Sequence, residues 1–353
     1  MSKIVTCEQV SRGHVDKICD QISDAVVTDC IRHDRESRVA VECLIKNSTI
    51  VIAGEITSRH EPDYAGLVQG VLDRIGITGQ YDKVNVRTLI TRQSPDIARG
   101  VDTGGAGDQG VMYGYATNET PELLPIPFAV ATRFLELLWD VNTSMLRPDA
   151  KAQVSYDYDT GRITTFLCSV QHTPCSGVDD FRAVIESLMI LTAVEYGLNC
   201  DFEKLVNPTG KFTVGGSSAD TGVTGRKLAC DTYGGVGRIG GGALSGKDPS
   251  KVDRSAAYMA RRIATGLVRN NCCDRCEVQI AYAIGKAEPV SVSVDTFGTA
   301  RCGLELIDKY VGTYDLTPGG IIRFLHLLDV DYNEVSFGGH FGKPWLPWET
   351  GTI

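Results

Sequence analysis

Arg38-Val-Ala-Val-Glu-Cys-Leu-Ile-Lys-Asn-Ser-Thr-Ile-Val-Ile-Ala-Gly-Glu-Ile56 is two alternating segments folded about Asn47-Ser48. In each arm apolar side chains return at every second residue, the period of a strand with one buried face, and Asn-Ser is turn chemistry. Outside the hairpin the period changes. Ile18, Ile22, Val26 and Val27 give Val15 to Ile31 a helical stripe, and Tyr64 to Ile75 is amphipathic. The order helix, hairpin, helix then returns twice, at intervals of about 115 to 125 residues. Helical Phe128 to Val141 precedes arms Gln153 to Tyr158 and Arg162 to Gln171 around Asp159-Thr-Gly161, followed by helical Phe181 to Tyr196. Arg254 to Arg269 precedes Glu277 to Ile284 and Val290 to Thr296 around Gly285, followed by Leu304 to Val311.

A hairpin covered on one face by two helices is an α+β layer. Three such layers predict three similar domains, helices packed on a mixed or antiparallel sheet, with pseudo-threefold symmetry; the alternative is accidental recurrence of common motifs. The domains are placed at residues 1–98, 99–213 and 214–353, with short segments exchanging between them. The joining stretches, Arg99 to Gly110 and Asn207 to Asp220, are rich in glycine and polar side chains, so sites are expected between domains.

Length and composition narrow the class of function. The chain has 353 residues and a formal charge of −9, which argues against nucleic acid as the main partner. No apolar run approaches the ~20 residues of a membrane span, and Met-Ser-Lys-Ile-Val-Thr-Cys-Glu8 lacks the features of a signal peptide. A cytoplasmic protein with no membrane partner is expected. Twelve cysteines in such a chain read as reduced, mostly buried thiols. Cys272-Cys-Asp-Arg-Cys276 has the spacing of a metal or redox pair, but no second pair stands at zinc-ribbon distance.

The richest chemistry lies in Gly240-Gly-Gly-Ala-Leu-Ser-Gly-Lys-Asp-Pro-Ser-Lys-Val-Asp-Arg254. Glycines let backbone N–H groups approach an anion, lysines supply point charge, and a carboxylate can hold Mg²⁺. Gly241, Gly246 and Lys247 fall at P-loop spacing, yet Asp248 stands where that motif needs a hydroxyl, and no strand reaches the loop. A phosphotransferase using a P-loop is therefore disfavoured. Between Arg226 and Arg254 the cations Arg226, Lys227, Arg238, Lys247, Lys251 and Arg254 outnumber Asp231, Asp248 and Asp253, a basic island suited to a small polyanion. Near the start, His14, Asp16 and Lys17 precede a helix whose N-terminus favours an anion. His14 can donate to a leaving oxygen, Asp16 can ligate Mg²⁺ and Lys17 can neutralise phosphate; plain helix capping is the competing reading.

Read in order, Gly-His14-x-Asp16-Lys17-x-x-Asp-Gln-Ile-Ser-Asp, Gly-Ala-Gly-Asp108-Gln-Gly, Arg147-Pro-Asp149-Ala-Lys151, Asp220-x-Gly-x-Thr-Gly-Arg226-Lys227, Asp231-Thr-Tyr-Gly-Gly and the 240–254 loop closely resemble the S-adenosylmethionine synthetase (methionine adenosyltransferase) family. The resemblance spans essentially the whole chain. It implies three similar domains, homo-oligomers (homodimers or homotetramers) with active sites shared at the dimer interface, and displacement at the ribose C5′ of ATP by the sulfur of methionine. Triphosphate leaves and is cleaved to pyrophosphate and phosphate. The family pattern assigns His14, Lys17, Lys151, Arg226, Lys227 and Lys247 to catalysis around the phosphates. ATP contacts fall also on Asp149, Lys211, Phe212, Asp220 and Ala243, with the Phe212 ring suited to stacking on adenine. Methionine falls to Glu55, Gln93, Asp108, Asp220 and Lys251. Asp16 and Asp253 match Mg²⁺ ligands, two ions being expected, and Glu42 matches the ligand of one K⁺; Glu42 and Glu55 also fit exposed strand positions.

Several positions depart from the pattern. Val15 for proline and Arg12 for an acid predict a less rigid, more positive first loop. Lys211 for arginine keeps charge and loses fork geometry. The segment Gln93 to Gly107 is several residues shorter than the family's lid, which predicts altered closure. An inactive nucleotide-binding paralogue is the rival within the fold, and retention of the carboxylates and cations argues against it.

Overall fold

The computed structural model describes residues 3–77, 84–92, 104–141, 144–174 and 177–350; Gln93 and the 93–103 part of the short lid segment lie outside them. The hairpin becomes β2 (Arg38–Lys46) and β3 (Thr49–Thr57), antiparallel from the Arg38–Thr57 pair to the Lys46–Thr49 pair. Asn47 turns the chain at φ 50°, a conformation asparagine tolerates.

Each hairpin sits in a sheet that borrows a strand beside its first arm, and two of the three sheets add a fourth, parallel strand. β1 (Ile4–Val10) pairs antiparallel with β6 (Leu146–Asp157), which pairs with β7 (Arg162–His172); β8 (Glu203–Val206) then runs parallel to β7. The first sheet repeats this order: β9 (Gly222–Val223) on β2, β2 on β3, and β4 (Asn85–Thr91) parallel to β3. In the third, β5 (Gly110–Thr117) pairs with β10 (Arg275–Tyr282) and β10 with β11 (Ser291–Asp295). The donated strand is the first strand of its own segment in every case. Segment one lends β1 to the second sheet, segment two lends β5 to the third, and segment three lends β9 to the first. This cyclic exchange gives the three layers their pseudo-threefold relation and crosses the expected cuts at 98 and 213.

Helices cover one face of each sheet. α1 (Val15–His33) and α2 (Tyr64–Ile75) cover the first, α3 (Ile126–Asp140) and α4 (Val178–Glu195) the second. Two short helices, α5 (Gly216–Ala219) and α6 (Leu228–Asp231), flank β9, and α7 (Val252–Arg269) covers β5 and β10. α8 (Leu304–Val311) and α9 (Pro318–Phe324) follow. The first and third layers share one hydrophobic core, whereas the central layer has its own.

α1 and α7 are buried on nearly every side, so their charged residues must be paired. Arg254 on α7 meets both oxygens of Asp24 on α1, at 2.7 and 2.9 Å, and Asp24 also accepts the Gly246 N–H at 3.0 Å. Arg261 holds Glu349 in the same two-pronged way, at 2.8 and 2.9 Å, fastening the end of the described chain to α7. Removing one member of such a buried pair costs about 3–5 kcal/mol. The eleven described cysteines are free thiols, seven of them in the two cores, and no described helix is long and apolar enough to cross a membrane.

Candidate functional site

The N-terminus of α1 is the anchor of the site. His14 caps the helix, its Nδ1 accepting the Asp16 N–H at 3.2 Å. The preceding loop is pressed against β6: Ser11 N–H donates to Ala150 O at 2.9 Å, and a Cβ on Gly13 would lie 2.3 Å from Pro148. Arg12 does not loosen this loop. Its guanidinium lies 4.4 Å from the Trp139 ring centre and 4.1 Å from that of Phe337, a cation–π clamp that opposes the expected loss of rigidity.

The β1–β6 pairing brings in the second segment, with Val10 opposite Lys151. Asp149 on the same strand accepts the Gly216 N–H at 2.8 Å, and the Gly215 Cβ position is 3.0 Å from the Phe212 ring. Asp149 and Phe212 thus approach the same glycine pair, while Lys211 is exposed beside them. Burial raises the Asp149 carboxyl above its usual range.

The third segment enters through β9. Val223 N–H and Lys227 Nζ hold the Asp16 carboxylate at 2.9 and 2.8 Å, and Arg226 stands 3.6 Å from it. Burial works against the charge on Asp16, but these donors outweigh it and hold its pKa below the usual carboxylate range. Burial first, then the Lys227 charge, push the His14 imidazole down to about 4; Lys151 adds to that push, while Asp16 and Asp220 oppose it. Four residues from three segments therefore act on one ring.

Lys17 faces inward. It is fully buried and paired with Asp20, at 3.0 Å, and with Asp231. Burial opposes its charge, yet the two carboxylates outweigh that cost and hold its pKa up. Asp20 and Asp231 were visible in the quoted motifs as acidic residues, but their role as partners of Lys17 needed the close approach of α1 and α6.

The glycine and lysine loop lies along β2. Val41 N–H donates to Gly246 O and Asp248 N–H to Val39 O, both at 2.9 Å. Asp248 is buried and accepts Val39 N–H at 2.7 Å, Ser250 N–H at 2.8 Å and Lys251 Nζ at 3.0 Å. Those donors outweigh burial and hold it ionised. It is thus a brace for the loop, which explains its place where a P-loop has a hydroxyl. Lys247 Nζ reaches Asp253 at 2.6 Å. The loop meets the segment after β9 at Ala243, whose Cβ lies 2.5 Å from the Cβ position of Gly225.

Asp16 and Asp253 each present hard carboxylate oxygens beside a lysine, the donor set that suits Mg²⁺ shared with phosphate oxygens. A Cβ on Gly242 would lie 2.2 Å from Asp253 Cγ, so only glycine leaves the space around that carboxylate open. Glu42 and Glu55 are not brought to this cluster, whereas Asp108 stands two residues before Gly110, whose Cβ position is 3.5 Å from Asp253 Oδ1. Glu42 and Glu55 stand on the face of the first sheet opposite α1, together with exposed Leu44 and Leu89, and Asp108 is exposed just before β5. Among the described residues the Cys272, Cys273, Cys276 group does not form a metal-ligand cluster.

Comparison with known proteins covers the same three segments. The family models for the S-adenosylmethionine synthetase N-terminal, central and C-terminal domains match residues 2–95, 103–212 and 214–350. An S-adenosylmethionine synthase of Sorangium cellulosum (strain So ce56) is 45% identical over 365 residues, covering 98% of this chain and 86% of the relative. One from Mesoplasma florum is 42% identical, covering 99% of this chain and 97% of the relative. With the strand exchange and the clustered cations and carboxylates, these matches establish that the chain belongs to the S-adenosylmethionine synthetase family.

Proposed function

We propose that the chain is a methionine adenosyltransferase, converting ATP, L-methionine and water to S-adenosylmethionine, pyrophosphate and phosphate. The observation that carries this reading is the convergence of His14, Asp16, Lys151, Asp220 and Lys227 from three segments, with the ion pair of Lys247 on the glycine and lysine loop and Asp253 in the first turn of α7. The methionine sulfur has no proton to lose. Its lone pair forms the S–C5′ bond while the C5′–O5′ bond breaks and its electron pair stays on triphosphate. Such a step needs alignment and charge neutralisation rather than a base.

Each side chain has a part in that step. Because His14 Nδ1 accepts from Asp16 N–H and the ring is held neutral near pH 7, its proton sits on Nε2, free to donate to the departing oxygen. Lys151, Arg226, Lys227 and Lys247 surround the triphosphate. Lys17 acts from behind, keeping α1 and α6 together so that Asp16 and Lys227 keep their places. Asp16 and Asp253 would hold two Mg²⁺ and Glu42 one K⁺, supplying positive charge to the phosphates. Phe212, Asp149, Lys211 and Ala243 take the nucleoside end, and Glu55, Gln93, Asp108, Asp220 and Lys251 take methionine. Glu42 and Glu55 stand away from the cluster on the opposite face of the first sheet, which supports a homo-oligomer, dimer or tetramer, whose partner completes the site. Free thiols support a cytoplasmic setting.

Lys247→Ala tests the assignment. It should lower turnover by about 10²-fold or more at saturating substrates with an unchanged circular dichroism spectrum. Turnover near that of the wild type would remove Lys247 from the phosphate site.

A further inference from the structure

At the end of α1 far from His14, three ligand-type side chains converge that the reaction does not use. Asp29 and His33 lie one turn apart on the helix, an i, i+4 pair on one face. His60 reaches them from the connection after β3. Its Nε2 is 2.7 Å from one Asp29 carboxylate oxygen, and His33 Nδ1 is 3.4 Å from the other. The two imidazoles stack with ring centres 4.0 Å apart and planes at 17°. One ligand atom from each residue lies within 4.8 Å of the others, and among the described residues no other group of three or more His, Cys, Asp or Glu meets that spacing.

The arm carrying His60 is fixed in place. His60 N–H donates to Ser58 Oγ at 3.0 Å, and the Ser58 and Ser37 hydroxyls meet at 2.8 Å. Arg59 donates to Asp34, the residue that ends α1, from its backbone N–H at 2.9 Å and its guanidinium at 2.6 Å. Both sides of the cluster are thus tied to the same helix terminus, the kind of supporting shell that metal sites need.

We infer that Asp29, His33 and His60 form a surface site for a borderline divalent metal ion such as Zn²⁺, with water completing its coordination. Shared protons can satisfy two imidazoles around one carboxylate, but a dication satisfies all three groups at once. Ligand atoms at Zn²⁺ distances of ~2.1 Å stand about 3.4 Å apart in a tetrahedron. Closure asks the widest pair, up to 4.8 Å apart, to draw in by about 1.4 Å and His33 Nδ1 to leave the Asp29 carbonyl oxygen 2.9 Å away, movements that the exposed His33 side chain can supply. Two nitrogens in the set select against Mg²⁺, which prefers oxygen alone. The site is also separate from Asp16, roughly 20 Å away along the helix axis. Bound metal would clamp the β3–α2 connection to α1.

The test titrates Zn²⁺ into chelator-treated, full-length protein in excess Mg²⁺, against a competing chromophoric chelator. The wild type should take up one Zn²⁺ per chain with micromolar or tighter affinity, and the His33→Asn/His60→Asn variant should lose at least tenfold in affinity for that equivalent. Co²⁺ should give d–d bands without thiolate charge transfer, which separates the site from the cysteines. An unchanged circular dichroism spectrum would establish that the variant is folded; should it not fold, His60→Gln alone is titrated with Co²⁺, expecting the same loss. Equal uptake by variant and wild type, thiolate bands, or no uptake by the wild type would overturn the proposal.

Discussion

Buried titratable residues carry much of the order around the site. His340 is fully buried, with the Tyr258 hydroxyl 2.8 Å from Nδ1 and Ser245 Oγ 3.4 Å from Nε2. Burial, reinforced by the Lys17 and Arg254 charges, drives its pKa well below 6.5. The unfolded chain therefore binds a proton that the folded chain refuses as pH falls through about 6.5, so stability declines with falling pH. A single such group contributes a slope of up to ~1.4 kcal/mol per pH unit. Denaturant melts at pH 7, 6 and 5, at fixed protein concentration, should show this decline and a shallower one in His340→Asn. Parallel slopes in the two proteins would assign the acid sensitivity elsewhere. At this scale the sequence was informative about which residues carry chemistry and poor about which way they face. His14, Asp16 and Lys247 were legible from spacing and type; that Lys17 turns inward to Asp231, 214 positions away, was not.

The elements divide in the same way. α2 and α8 have the bounds read from periodicity, and the β2–β3 hairpin differs by one residue in each arm. β1, β5 and β9 escaped because their partners lie far along the chain, and short alternation does not name a distant partner. In β5 the pattern is further diluted by Gly114, where a Cβ would fall 2.0 Å from the Ala260 carbonyl carbon; glycine there lets α7 lie on the sheet. The glycine and lysine loop shows two different uses of glycine. Gly246 has φ 84°, and a Cβ would meet Val41 O at 2.0 Å, a rigid backbone atom. Gly246→Ala should cost stability, by about 1–3 kcal/mol from backbone strain alone. A Cβ on Gly242 would instead meet the movable end of Asp253. Gly242→Ala should leave the thermal midpoint near that of the wild type and lower turnover at least tenfold. The same losses of stability and turnover in both variants would refute this division of roles.

In the whole molecule, three sheets of like strand order are joined by a cyclic trade of first strands, which draws His14, Lys151 and Arg226–Lys227 together. The site therefore depends on the exchange, since β1 and β9 flank the helix terminus that carries His14 and Asp16. The proposed completion by a second subunit makes its own demand. A mixed dimer of Lys227→Met and Glu55→Ala chains places both lesions in one site and leaves the other intact. It should recover up to about half of the wild-type activity, although neither parent is active. Recovery no greater than the mean of the parents would place the whole site within one chain.

The most direct measurement is phosphorus accounting of the reaction by ³¹P NMR, with purified protein, ATP, L-methionine, Mg²⁺ and K⁺. One pyrophosphate and one phosphate should appear for each S-adenosylmethionine formed, both dependent on methionine. Release of ADP, or ATP cleavage without formation of the sulfonium product, would contradict the proposed function.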